Sequence, residues 1–140
     1  ARGVFRLDRP LYSPVHYPGD YGFIPETLAP DGDPLDILVI TDHPTFPGCV
    51  VPARVIGALT MRDEKGEDTK ILAVVDNDPR SQALLDLGDV PGHIRREIEY
   101  FFAIYKELEG KPTAVTGWRD RDHAEREIQA ARDAYQKPRA

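Results

Sequence analysis

The chain has 140 residues, of which 41% are hydrophobic and 30% charged, with a net charge of −6 at neutral pH. That length suits one globular domain with a core of its own, and the composition excludes a disordered segment. A lone cysteine, Cys49, excludes a disulfide framework; no apolar run reaches the roughly 18 residues of a membrane helix, and the acidic balance opposes a nucleic-acid surface.

In chain order, Val4 to Leu7 reads as a short strand, followed by Arg9 before Pro10. The stretch Tyr17 to Pro25 is rich in aromatic residues and turn formers. Tyrosine hydroxyls such as those of Tyr17 and Tyr21 can donate to phosphate oxygens without adding charge, although packed tyrosines are more often simply core. Leu35 to Ile40 is a near-continuous apolar run, as expected of a strand buried on both faces. Val50 to Met61 is a longer strand with Pro52 at an edge or entry position. Cys49 is expected in a strand as a buried small hydrophobe. Thr69 to Val75 and Thr113 to Trp118 complete the strands. Between them, Pro91 opens and Gly110 closes a helix whose stripe is Ile94, Ile98, Phe101, Phe102, Tyr105 and Leu108. A second helix, from about Asp122 to Lys137, carries Ala124, Ile128, Ala131 and Tyr135. Short strands followed by helices predict a mainly β fold, a small barrel or curled sheet with the helices packed outside.

Two acidic clusters stand out. Asp31-Gly32-Asp33-Pro34-Leu35-Asp36 places three carboxylates in six residues, directly at the start of a strand. Crowded carboxylates repel unless a cation lies between them, and oxygen ligands suit hard ions such as magnesium. An acidic turn explains the hexapeptide alone equally well. An EF-hand does not fit, because its sixth position calls for Gly and Asp36 stands there. The second cluster, Met61 to Lys70, reads as a hairpin with Lys65-Gly66 at its centre, which sets Asp63 opposite Asp68. Like charges directly opposite are destabilising, and a bound cation removes that cost. Lys70 follows Asp68 by two residues, so acid and base share a face. Glu64, Lys65 and Glu67 read as a solvated hairpin tip. Tyr105 and Lys106 sit at the core edge of the first helix, where a snorkelling lysine is common.

Other chemistries find no support. The chain has no Walker loop and no G-x-S-x-G elbow, and its four histidines form no i, i+4 pair.

Taken together, Leu7-Asp8-Arg9, Tyr17 to Pro25, Asp31 to Asp36, Asp63 to Lys70 and Phe101 to Lys106 resemble, in order and rough spacing, the soluble inorganic pyrophosphatases of the first family, in their short bacterial style. The resemblance covers nearly the whole chain. It implies an OB-like five-stranded barrel with two C-terminal helices. It also implies magnesium-dependent hydrolysis of pyrophosphate to two phosphates, using several metal ions. On these positions, Asp31, Asp36, Asp63 and Asp68 would hold metal and Asp33 would be the general base for the attacking water. Arg9, Tyr21, Lys70, Tyr105 and Lys106 would bind phosphate, with Tyr17 supporting the carboxylates from behind. A cytoplasmic homohexamer is expected. Family members carry a Lys-Tyr-Glu segment before the strand matching Val4 to Leu7. Nothing here precedes Ala1, so residues 1–140 are expected to be one pyrophosphatase domain trimmed at its N-terminus.

Overall fold

The computed structural model describes residues 16–137. Arg9 and the expected Val4 to Leu7 strand lie outside the described residues. Five strands follow in order: β1 (Asp20–Phe23), β2 (Asp36–Ile40), β3 (Ala53–Asp63), β4 (Gly66–Val75) and, after the first helix, β5 (Ala114–Arg119). The helices are α1 (Gly92–Ile104) and α2 (Arg121–Gln136). The strands form one sheet ordered β1-β2-β4-β3-β5. Among the described residues only β2 and β4 run parallel; the other neighbours are antiparallel. Among the described residues β1 and β5 stay at opposite edges, so the sheet is an open form of the expected OB-like barrel.

Strand β4 lies at the centre, and its sequence shows why. Lys70 to Val74 is buried without a break, because both faces are covered. Leu72 and Val74 join Leu38, Leu59 and Met61 under Ile98, Phe101 and Phe102 of α1. Ile71 points the other way and packs with Ala58 against Ala124 and Ala131 of α2. The three alanines let helix and sheet approach closely. Asp120 caps α2 by accepting a hydrogen bond from the His123 N–H at 2.9 Å. Ile128 packs against the same cluster, while Tyr135, expected in the stripe, is exposed.

Several local expectations change. Asp20 to Phe23, read as a turn-rich stretch, is a strand, because pairing with β2 overrides its glycines and neighbouring proline. Cys49 lies in the loop before β3 and is only half-buried. Pro52 is an entry residue, since β3 runs between β4 and β5. The first helix stops at Ile104, six residues before Gly110, and a short 3-10 turn over Glu107–Glu109 carries Leu108 into solvent. At the break, Lys106 adopts φ −107°, ψ 7° and leaves the helical path. That turn brings its side chain back over the sheet.

Candidate active site

The parallel pairing of β2 with β4 makes Asp36 and Lys70 register partners. Asp68, two residues before Lys70, projects from the same face of β4. The Lys70 Nζ lies 2.8 Å from Asp36 Oδ2 and 2.8 Å from Asp68 Oδ2, and donates to the Tyr21 hydroxyl at 2.7 Å. One ammonium therefore serves two carboxylates and a phenol in a place where its side chain is 5% exposed. The rings of Tyr21 and Phe102 lie 5.3 Å and 5.6 Å from it.

The electrostatics follow from that crowding. Burial alone would lower the Lys70 pKa, but Tyr21, Asp36 and Asp68 together hold it above its ordinary value, so it stays an ammonium. Burial pushes Asp68 up despite Lys70, with Asp36 and Asp63 adding repulsion. Burial also raises the two phenols, Tyr105 to about 12 and Tyr21 further, so both remain hydrogen-bond donors at neutral pH.

A second group adjoins the first. The end of α1 swings Lys106 to 3.5 Å from Asp63 Oδ2 and 3.5 Å from Glu64 Oε1. The Lys106 Nζ also lies 5.5 Å from the centre of the Tyr105 ring. Behind both groups, Tyr17 stacks on Tyr21 with ring centroids 4.6 Å apart and leans on Phe101. Phe101 and Phe102 continue the floor to Tyr105.

The hairpin register differs from expectation. Glu64 and Lys65 form the turn, Asp63 pairs with Gly66, and Asp68 faces Met61. Asp63 and Asp68 are thus not directly opposite, but diagonal on one face. The shift has a backbone cause: Gly66 takes φ +108°, which suits it to follow the turn and leaves Lys65 at the tip. Glu64 and Lys65 consequently join the site, Glu64 through Lys106 and Lys65 through Asp33, whose Oδ2 is 3.8 Å from its Nζ. Sequence offered no periodic signal for either, because turn residues have no fixed face. Glu67 does behave as a solvated tip residue, paired only loosely with Arg62.

Asp31 and Asp33 ride on the exposed loop before β2. The Asp33 N–H donates to Asp31 Oδ1 at 3.0 Å, and the Ala29 N–H donates to the Asp33 carbonyl at 2.8 Å. The base of this loop is pinned by buried Thr27, whose hydroxyl donates to the Ile24 carbonyl and accepts the Leu35 N–H at 3.0 Å. Thr27→Val strips both partners of their hydrogen bond. It is expected to lower stability by about 1–3 kcal/mol in a urea unfolding titration.

The structure therefore brings Tyr21, Asp36, Asp68 and Lys70 together, seats Asp63 with Lys106 beside them, and sets Asp31 and Asp33 at the rim. Among the described residues no three acidic or histidine side chains enclose an ion-sized space. The reason is visible in the contacts: Lys70 and Lys106 each stand between two carboxylates. The donor set is all carboxylate oxygen, which fits a hard divalent cation, and buried Asp68 is held against its own desolvation. A cavity of about 180 Å³ lies mainly behind this site, toward α2, lined by threonines, Arg119 and His123. It reaches Asp68, Glu67 and Glu127 but not Asp31, Asp33, Asp36 or Asp63, so we place the chemistry at the acidic cluster.

Comparison with known proteins agrees. The family model described as inorganic pyrophosphatase matches residues 1–136. The chain belongs to the inorganic pyrophosphatase family. It is 52% identical over 136 residues to the inorganic pyrophosphatase of Thermus thermophilus, covering 95% of this chain and 78% of that one. It is also 54% identical over 117 residues to that of Geobacillus stearothermophilus, covering 84% and 71%. The crystal structure of the Thermus thermophilus protein superposes with a TM-score of 0.91 at 51% identity, over 94% of this chain and 78% of that one. An Anaplasma phagocytophilum structure, described as an inorganic phosphatase, gives 0.93 at 41% identity, over 97% and 81%. Membership of the pyrophosphatase family makes the chain an inorganic diphosphatase that works with divalent metal.

Proposed function

We propose that the chain hydrolyses pyrophosphate to two phosphates with several magnesium ions held by Asp31, Asp36, Asp63 and Asp68. The observation that carries this reading is the pair of buried lysines, each shared between two carboxylates. A site of that composition holds cations on its acids and phosphate oxygens on its bases. Bound magnesium would supply charge neutralisation of the pyrophosphate and acidification of the attacking water.

The chain's own residues then have separable roles. Asp33, exposed at the rim, accepts the proton of the attacking water. Lys70 and Lys106 are fixed by the sheet and the end of α1 to stabilise charge on phosphate oxygens, and Arg9 adds a third cation. Tyr21 and Tyr105 remain protonated and donate hydrogen bonds to the same oxygens. Tyr17 braces Tyr21 by stacking and so supports the carboxylates from behind. Phosphoryl transfer asks chiefly for positioning and charge, which Asp, Lys, Arg and Tyr supply.

The test is phosphate release from pyrophosphate by the folded chain. Release is expected with magnesium and is expected to stop on its removal with a chelator. A folded, magnesium-loaded protein that leaves pyrophosphate intact would overturn the reading.

We read the assembly as a homohexamer and the compartment as the cytoplasm. The first follows from the chain's likeness to bacterial members of the family. The second is supported by the lone cysteine; among the described residues no helix is long and apolar enough to cross a membrane. The net charge of −6 favours no nucleic-acid partner.

A further inference from the structure

We infer that Lys65, at the tip of the β3–β4 hairpin, is a positioning residue that opposes metal binding and draws pyrophosphate to the mouth of the site. The inference rests on the carboxylates being the metal site proposed above.

Three consecutive residues of the tip reach across the mouth in two directions. Asp63 and Glu64 meet Lys106 at the end of α1. Lys65 meets Asp33 on the loop before β2. The turn that allows this is fixed from within: the Lys65 N–H donates to Asp63 Oδ1 at 2.9 Å, and Gly66 follows at φ +108°. The hairpin tip thereby spans the site, with its one cation on the side of the Asp31–Asp36 loop.

Lys65 differs in kind from the other two lysines. The side chains of Lys70 and Lys106 are 5% and 9% exposed, whereas that of Lys65 is 61% exposed and paired at 3.8 Å to an equally open Asp33. An exposed pair of this sort contributes little to folding. Its charge still acts on whatever enters. A fixed positive charge near Asp33 raises the work of bringing a divalent cation to the neighbouring acids, and lowers the work of bringing a polyanion. The two effects have opposite signs from one atom. A purely structural role at the hairpin tip would move both constants the same way or neither.

The experiment is calorimetric titration of magnesium, without substrate, into the wild type, Lys65→Ala, Lys65→Glu and Lys65→Arg. It is combined with kcat and KM for pyrophosphate at saturating magnesium. Lys65→Ala is expected to bind magnesium about threefold tighter and to raise KM about threefold with kcat unchanged, both differences shrinking at about 0.5 M salt. Lys65→Glu is expected to exceed both changes, and Lys65→Arg to match the wild type. Magnesium affinity unchanged or weakened in Lys65→Ala, or a fall in kcat at constant KM, overturns the assignment to Lys65 alone. A wild type with no saturable magnesium binding overturns the carboxylate reading beneath it, and this assignment with it.

Discussion

Asp33→Asn is expected to lower kcat by about two to four orders of magnitude while leaving the protein folded and able to bind magnesium. The size follows from the chemistry, since asparagine keeps the shape of the side chain but cannot accept a proton. The selectivity follows from position. Asp33 sits on an exposed loop, and the hydrogen bonds that shape the loop use its backbone N–H and carbonyl, not its carboxylate. The carboxylate itself forms an open ion pair with Lys65. Stability should therefore change by less than about 0.5 kcal/mol, the range of ordinary surface substitutions. Steady-state kinetics with thermal unfolding and magnesium titration separate the cases. If the variant retained a tenth of wild-type turnover, the proton would be going elsewhere.

Lys70→Met is expected to damage both stability and turnover, and magnesium should repair only the first. In the metal-free protein the substitution leaves Asp36 and Asp68 facing each other without their shared ammonium. Breaking a buried pair by removing one partner costs about 3 kcal/mol. For a chain of this size that is roughly a 10 °C fall in Tm. The pH dependence has a definite sign. The folded-state pKa of Lys70 is raised above its ordinary 10.5, so its contribution is complete below that value and is lost as pH rises through the folded value. Near neutral pH the gap between wild type and variant should be at full size. Magnesium takes over the neutralisation of the two acids, so adding it should narrow the gap in Tm by mass action. Turnover should remain down by about a hundredfold or more, because the metal cannot replace a cation aimed at phosphate oxygens. A variant whose magnesium-free Tm equals that of the wild type would contradict the shared-ammonium account.

Much of the fold and part of the site are legible in the residues alone. The apolar runs Leu35 to Ile40 and Thr69 to Val75 foretold β2 and β4, and the 3.6-residue stripe from Ile94 through Phe102 foretold α1, because burial pattern and secondary structure share a period. The pairing of Asp68 with Lys70 followed from two-residue spacing alone. What sequence could not supply were contacts decided by neighbours. The β1 strand exists because β2 offers it a partner. The hairpin turn sits one residue earlier than expected, which moves the partner of Asp63 by two residues from Asp68 to Gly66, because Lys-Gly looks like a turn centre while Gly66 in fact opens β4 at positive φ. Glu64 and Lys65 became site residues through that same shift. The burial of Lys106 depends on where α1 ends, and helix ends are set by tertiary packing as much as by Gly110.

The parallel pairing of β2 with β4 also bears on how the molecule assembles. Strands β3 and β4 meet across a two-residue turn, so Asp63, Glu64, Asp68 and Lys70 are neighbours as soon as that hairpin closes. Asp36 is different: it reaches Lys70 only when β2 docks alongside β4, with all of β3 intervening in the chain. Such a non-local closure is slower than a hairpin, because more chain entropy is lost before any contact repays it. Recovery of ion affinity after dilution from denaturant thus clocks the arrival of β2, not the zipping of the hairpin.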